Sequence, residues 1–305
     1  MLELKRGEKM SELITIQNDN LKVAVSTVGA EVQSIKFLNE ERLWQADERF
    51  WKGHSPLLFP ICGRLKDGYY NYQNKSYEMK IHGIVRNENF EVLSLEKTSV
   101  TLGFSSNSET KKVYPFDFCY KVMYKLKGDT LQTYYFVENT GENPLYYNVG
   151  SHEAYMINGE DFENYSILFD GINEIKVTTI IDNFMSDKSF TLPCKNGEFA
   201  LKKEYFDCKS LMPNGYSSLD SMVLENIPSK RATLLYKGEE KLSIYYNDFQ
   251  NMVLWTILGA SFLAIEVWEG IPDTYDTTHN LEDKKGITKL EKGEGKTYYH
   301  SVTFS

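Results

Sequence analysis

The chain has 305 residues, with 34 Lys+Arg against 43 Asp+Glu and a formal net charge of −9 at pH 7. That balance argues against a nucleic-acid partner, because DNA and RNA select basic faces, and the pairs Lys111-Lys112, Lys202-Lys203 and Lys284-Lys285 are short and flanked by acids. With 41% hydrophobic and 25% charged residues, the chain can bury a sizeable core, and intrinsic disorder is excluded.

The opening MLELKRGEKMSEL has no apolar core of a signal peptide, and residues 1–10 read as a flexible leader. The longest apolar run, SFLAIEVW, falls short of the ~20 residues that cross a bilayer, so no membrane association is expected. Cys62, Cys119, Cys194 and Cys208 lie far apart with no C-x-x-C, which indicates a reducing compartment and a cytoplasmic protein.

Period-two alternation recurs from end to end, and 42 aromatic residues favour pleated strands. Strand signals come at Leu21/Val23/Val25 and at Val100/Leu102/Phe104. A hairpin follows: Tyr120, Val122, Tyr124 and Leu126 turn through Lys127-Gly128-Asp129 into Leu131, Thr133, Tyr135 and Val137. Residues 182–200 show no constraining period and read as a loop. A second hairpin runs from Ala232, Leu234 and Tyr236 through Lys237-Gly238-Glu239-Glu240 to Leu242, Ile244 and Tyr246, and Tyr298/His300/Val302/Phe304 close the chain. No sustained helical stripe and no linker or repeat interrupts this pattern, so residues 1–305 form one mostly β domain.

Some motifs fail on inspection. Gly293-Glu294-Gly295-Lys296-Thr297 lacks the earlier glycine of a phosphate loop and runs into a strand, while His152-Glu153 has Met156 where a zinc helix needs its second His. No G-x-S-x-G or G-x-G-x-x-G occurs.

Among the five histidines, His152 sits between Gly150-Ser151 and Glu153-Ala154-Tyr155, and His82 precedes Gly83, which permits an unusual backbone turn. Either is as readily a buried histidine satisfied by its surroundings. Glu266 lies inside the apolar run Phe262-Leu263-Ala264-Ile265-Glu266-Val267-Trp268, where desolvation would raise a carboxyl pKa toward a general base's working range. Alternation alone would equally let it face solvent. Arg64, in Gly63-Arg64-Leu65-Lys66-Asp67-Gly68, offers a planar fork for hydroxyls or a carboxylate, or a simple pairing with Asp67. Asp220 opens a strand and is as readily a turn-maker, and Glu269 and Asp273 read as solvated loop acids.

The ordered set Gly63-Arg64-Leu65-Lys66-Asp67-Gly68, Ile81-His82-Gly83, Gly150-Ser151-His152 and Ile265-Glu266-Val267-Trp268-Glu269-Gly270-Ile271-Pro272-Asp273 resembles the aldose 1-epimerase (galactose mutarotase) superfamily. It is most similar to the shorter bacterial branch, whose Trp-x-Gly-x-Ser-Pro-x-Leu-Phe-Pro appears here as Trp51 to Pro60. The resemblance runs from about residue 14 to 304 and implies a β-supersandwich with an open sugar-binding cleft. It also implies that His152 is the general acid, Glu266 the general base, Arg64 and His82 substrate-orienting groups, and Asp220 a hydrogen-bond partner of sugar hydroxyls. Two positions depart from the family: Glu153 replaces its usual Pro, and Ser151 its Gly or Ala.

Such an enzyme interconverts α and β anomers by opening and reclosing the ring, with a proton donor and acceptor on opposite sides of C1–O5 and no metal or cofactor. Because free histidine has a pKa of about 6.5, His152 is expected to need its charged form favoured, with Glu153 the candidate neighbour. A small sugar is the expected partner; neither its identity nor the oligomeric state is specified. Sibling expectations are a hexose-6-phosphate epimerase using Lys52, Lys66 and Arg86, a sugar-binding protein without catalysis, and a glycoside hydrolase, which would need a second carboxylate beside Glu266.

Overall fold

Alternation is realised most plainly in Phe118–Lys127 and Thr130–Asn139, which pair antiparallel from Phe118↔Asn139 to Lys127↔Thr130. Tyr120, Val122, Tyr124 and Leu126 are buried on one face together with Leu131, Thr133, Tyr135 and Val137. The second hairpin, Arg231–Tyr236 with Glu239–Tyr245, turns through Lys237 and Gly238 at φ 51° and 82°, the left-handed pair that suits the right-handed twist of its arms.

The computed structural model describes residues 11–181, 184–207 and 221–305. The proposed leader and Asp220 lie outside the described residues. Among the described residues, both hairpins join a nine-stranded sheet that includes Gly295–Phe304 and ends at Glu91–Glu96. Facing it is an eight-stranded sheet, where Asn251–Trp255, Phe262–Glu269, Val149–Ser151 and Leu57–Leu58 lie side by side. A four-stranded sheet, Leu13–Gln17 to Glu40–Glu41, contributes to the same core. The expected mostly β sandwich is what the chain forms: the α-helix of the described residues is the single turn Thr110–Val113.

One hydrophobic cluster joins the sheets, taking Leu263, Ile265 and Val267 from one and Tyr120, Tyr135 and Val302 from the other. Each such aliphatic side chain contributes about 1.5–3 kcal/mol of burial. Residues 182–200 are not simply a loop. Phe184–Pro193 pairs with Glu174–Ile181, and Glu198–Ala200 with Tyr165–Phe169. Among the described cysteines, Cys62, Cys119 and Cys194 are free thiols, and no described helix is long and apolar enough to cross a membrane.

Candidate active site

Successive strand residues point to opposite faces, and in Phe262–Glu269 both faces are covered. Leu263, Ile265 and Val267 enter the inter-sheet core, leaving Ala264, Glu266 and Trp268 on the other face. Glu266 is therefore not a solvated residue of an alternating strand: it is 1% exposed and lines a cleft. Trp268 Nε1 donates to Glu266 Oε2 at 3.0 Å, which fixes the carboxylate from one side.

Val149–Ser151 and Ala154–Met156 flank His152 and pair with the same strand, through Gly150↔Trp268 and Ala154↔Ala264. Both pairings share one register, so His152 falls opposite Glu266. Residues opposite one another in an antiparallel pair share a face. His152 Nε2 accordingly lies 3.4 Å from Glu266 Oε1. The imidazole stacks on Trp51, with centroids 4.8 Å apart, and meets Trp255 and His82 edge-on at 5.3 and 5.4 Å.

The Glu153 side chain, one residue on, faces the core and contacts His300 and Ser151. Glu153 does favour a charged His152, as expected, but burial outweighs it and pushes His152 down to about 4. An imidazolium in this apolar, aromatic setting loses hydration that a carboxylate on the far side of its strand does not restore.

His82 adopts φ 64°, and Gly83 follows at φ 76°, where a Cβ would come within 2.2 Å of the Phe59 carbonyl oxygen. This turn brings His82 Nδ1 to the Gly63 N–H, which donates to it at 3.2 Å. Nδ1 being an acceptor, Nε2 carries the hydrogen and the ring is a neutral donor. Burial, together with the charges of His152, Arg86 and Arg64, pushes His82 well below the ordinary histidine range.

Arg64 is exposed at the cleft and is not paired with Asp67, whose carboxylate lies 3.5 Å from His279 Nε2. The Arg64 backbone is braced by Asp273, which donates its N–H to the Arg64 carbonyl and accepts from the Lys66 N–H, each at 2.9 Å. Asp273 and Glu269 are not solvated loop acids; they are 3% and 7% exposed. Asp273 Oδ1 meets the buried Lys284 Nζ at 3.1 Å, and Lys284 also donates to the Ile271 carbonyl. Burial lowers the Lys284 pKa, and Asp273 opposes that shift.

His152, Glu266, Arg64 and His82 therefore line one cleft of about 310 Å³. Trp51, Trp255 and Arg86 share it. The sequence motifs did not single out Trp255 or Lys284; Lys284 was noted only as half of a short lysine pair flanked by acids. An Asp273 in a short Gly-Ile-Pro-Asp loop beside the Glu266 strand was the available signal that a buried cation had to be near.

A profile for aldose 1-epimerases matches residues 12–303. The chain belongs to the aldose 1-epimerase family. Protein LacX of Lactococcus lactis is 31% identical to this epimerase over 293 residues, which cover 91% of this chain and 94% of LacX. The solved structure of a galactose mutarotase related enzyme from Lactobacillus acidophilus superposes with TM-score 0.88 at 29% identity, covering 96% of this chain and 97% of that one. A galactose mutarotase-like protein from Lactobacillus casei gives 0.86 at 26% identity, covering 96% and 100%. These likenesses make the epimerase an isomerase acting on carbohydrates.

Proposed function

We propose that this epimerase is a mutarotase that interconverts the α and β anomers of a hexose, with Glu266 as base and His152 as acid. The observation that carries this reading is the 3.4 Å approach of His152 Nε2 to Glu266 Oε1 at one cleft. The pair sits side by side, not on opposite sides of a pyranose. That suits a hemiacetal, because its hydroxyl oxygen O1 and ring oxygen O5 are separated by the single carbon C1.

Glu266 Oε1 takes the proton of O1, and an O1 electron pair forms the C1 carbonyl. The C1–O5 bond breaks, and its electron pair receives the proton from His152 Nε2. Rotation about C1–C2 presents the other carbonyl face, and reclosure returns both protons with donor and acceptor exchanged. One proton shared by the pair suffices for the cycle, and each positioned group typically supplies about 10²- to 10⁴-fold.

With His152 held at about 4, the imidazolium is a minor species at pH 7. Its carriers of stabilisation are Glu266 and the Trp51 face, a cation–π contact of about 0.5–2 kcal/mol. His82 Nε2–H and the Arg64 fork would orient hydroxyls, and Asp220 would serve the same purpose from outside the described residues.

A second reading, epimerisation of a hexose 6-phosphate, is favoured by one observation. Arg64 and Arg86 both line the cleft, and neither forms an ion pair among the described residues. The other cations considered are engaged elsewhere, Lys52 with Glu48 at 3.2 Å and Lys66 with the Tyr275 carbonyl at 2.7 Å. A polarimetric survey of freshly dissolved α-anomers decides between them. Faster equilibration of free hexoses supports the first reading; acceleration confined to the 6-phosphates supports the second. Sugar binding with no acceleration of either would sink both and leave a binding protein.

A further inference from the structure

The core side of the His152 segment holds a second polar cluster that the proposed chemistry does not use. Glu153 is 8% exposed and Ser151 and His300 are 0% and 2% exposed, between the two large sheets. Ser151 Oγ donates to Glu153 Oε2 at 2.5 Å, and Glu153 Oε1 lies 3.1 Å from His300 Nε2 on the Gly295–Phe304 strand. The Tyr135 hydroxyl extends the cluster, 3.3 Å from His300 Nδ1. Burial works to raise the Glu153 pKa, yet His300 and Ser151 outweigh it and hold the carboxyl below its ordinary value.

A charged group in an apolar interior costs stability unless it is paired, and apolar residues in its place are often neutral or better. The cluster's place in the fold supplies a reason for it to be there. His152 and Glu153 fall between the two strand segments, so the ladder is interrupted at the residue that faces Glu266. The described backbone tie across this gap is the Ile265 N–H to the Glu153 carbonyl at 3.1 Å. Ser151 and Glu153, two residues apart, point to the core while His152 points to the cleft, so fixing their side chains fixes the backbone that carries the imidazole.

We propose that Ser151, Glu153 and His300 are positioning residues that lock the interrupted segment to the opposite sheet and so hold His152 Nε2 over Glu266. The inference rests on the mutarotase reading and adds to it three residues that do not touch substrate. Glu153 ties the segment to a second sheet, where a proline at that position could offer no side-chain partner. Misplacement of a catalytic group by an ångström can cost about 100-fold.

The test is anomerisation by Glu153→Gln, which is isosteric, measured as kcat and KM separately and alongside thermal melting. The expected result is a fall in kcat of about tenfold or more with KM changed less than about twofold and melting still cooperative. In a His152→Asn background the same change should add less than about twofold, because Glu153 acts through His152. Wild-type kcat in Glu153→Gln, or the full loss repeated in the His152→Asn background, overturns the inference. If Glu153→Gln fails to fold, Ser151→Ala, which removes only the tie within the segment, carries the same pair of measurements. An inactive wild type removes the mutarotase reading and the inference together; an active wild type with an unaffected Glu153→Gln removes the inference alone.

Discussion

The Phe118–Lys127 strand and the Phe262–Glu269 strand differ in what their second face does. In the first, burial alternates, with Tyr120, Val122, Tyr124 and Leu126 inside and Lys125 and Lys127 exposed. In the second, all eight positions are buried, one face against the core and the other at a cleft that holds a carboxylate and three tryptophans. A one-sided strand tolerates polar change on its outer face. A two-sided strand holds a carboxylate there at a desolvation cost that a polar partner offsets, as Trp268 does for Glu266.

The contrast can be broken by substitution. Glu266→Gln keeps an acceptor for Trp268 but cannot take a proton, so anomerisation should fall by about 10²- to 10⁴-fold with the melting transition retained; a variant as fast as wild type would reject the assignment. Lys284→Met leaves the Asp273 carboxylate buried without its cation, which should cost about 3–5 kcal/mol in denaturant unfolding. Because Asp273 braces the Arg64 backbone, KM should rise more than kcat falls in the same variant. Unchanged stability would show that the pair is dispensable.

Titration sharpens the comparison. His152 has a folded pKa of about 4 against about 6.5 unfolded, so the unfolded chain binds the extra proton between those values. Stability should therefore be complete above pH 6.5 and decline as pH falls toward 4, by about 3 kcal/mol from this residue, with His82 acting in the same direction. Denaturant midpoints at pH 7 and pH 5 check the sign, and His152→Asn should flatten part of the slope. For activity the sign reverses: if the imidazolium is the acid, kcat/KM should be higher at pH 5 than at pH 8. The smallest effect belongs to the one-sided strand, where Lys125→Ala should change stability by less than about 0.5 kcal/mol and leave kcat untouched.

The hairpins were legible because alternation and a Gly-bearing turn are local properties. Lys237-Gly238 reverses the chain with both residues in the left-handed region, and nothing distant is needed to read it. Glu266 was legible as an anomaly and no more: an acid in an apolar run is either at the surface or in a site, and period two treats both alike. Glu269 and Asp273 were misread as solvated charges and Lys284 was passed over, since a charge's cost depends on partners that the fold brings. Glu153 favours a charged His152 as adjacency suggests, but neighbours in a strand point apart, so its side chain goes to His300 and its effect is outweighed by burial.

What the amino-acid order alone determined is the sheet-forming pattern and the mostly β class, and it narrowed the groups proposed to exchange protons with a sugar to a short set. Those follow from side-chain chemistry and from the two-residue repeat of extended chain. Tertiary structure alone decided that His152 falls opposite Glu266, that Glu153 turns to His300, and that Arg64 stands on a buried Asp273–Lys284 brace. The His152–Glu266, Glu153–His300 and Arg64–Asp273 contacts each join segments more than 100 residues apart, and the first is set by strand register, which is a property of two strands together.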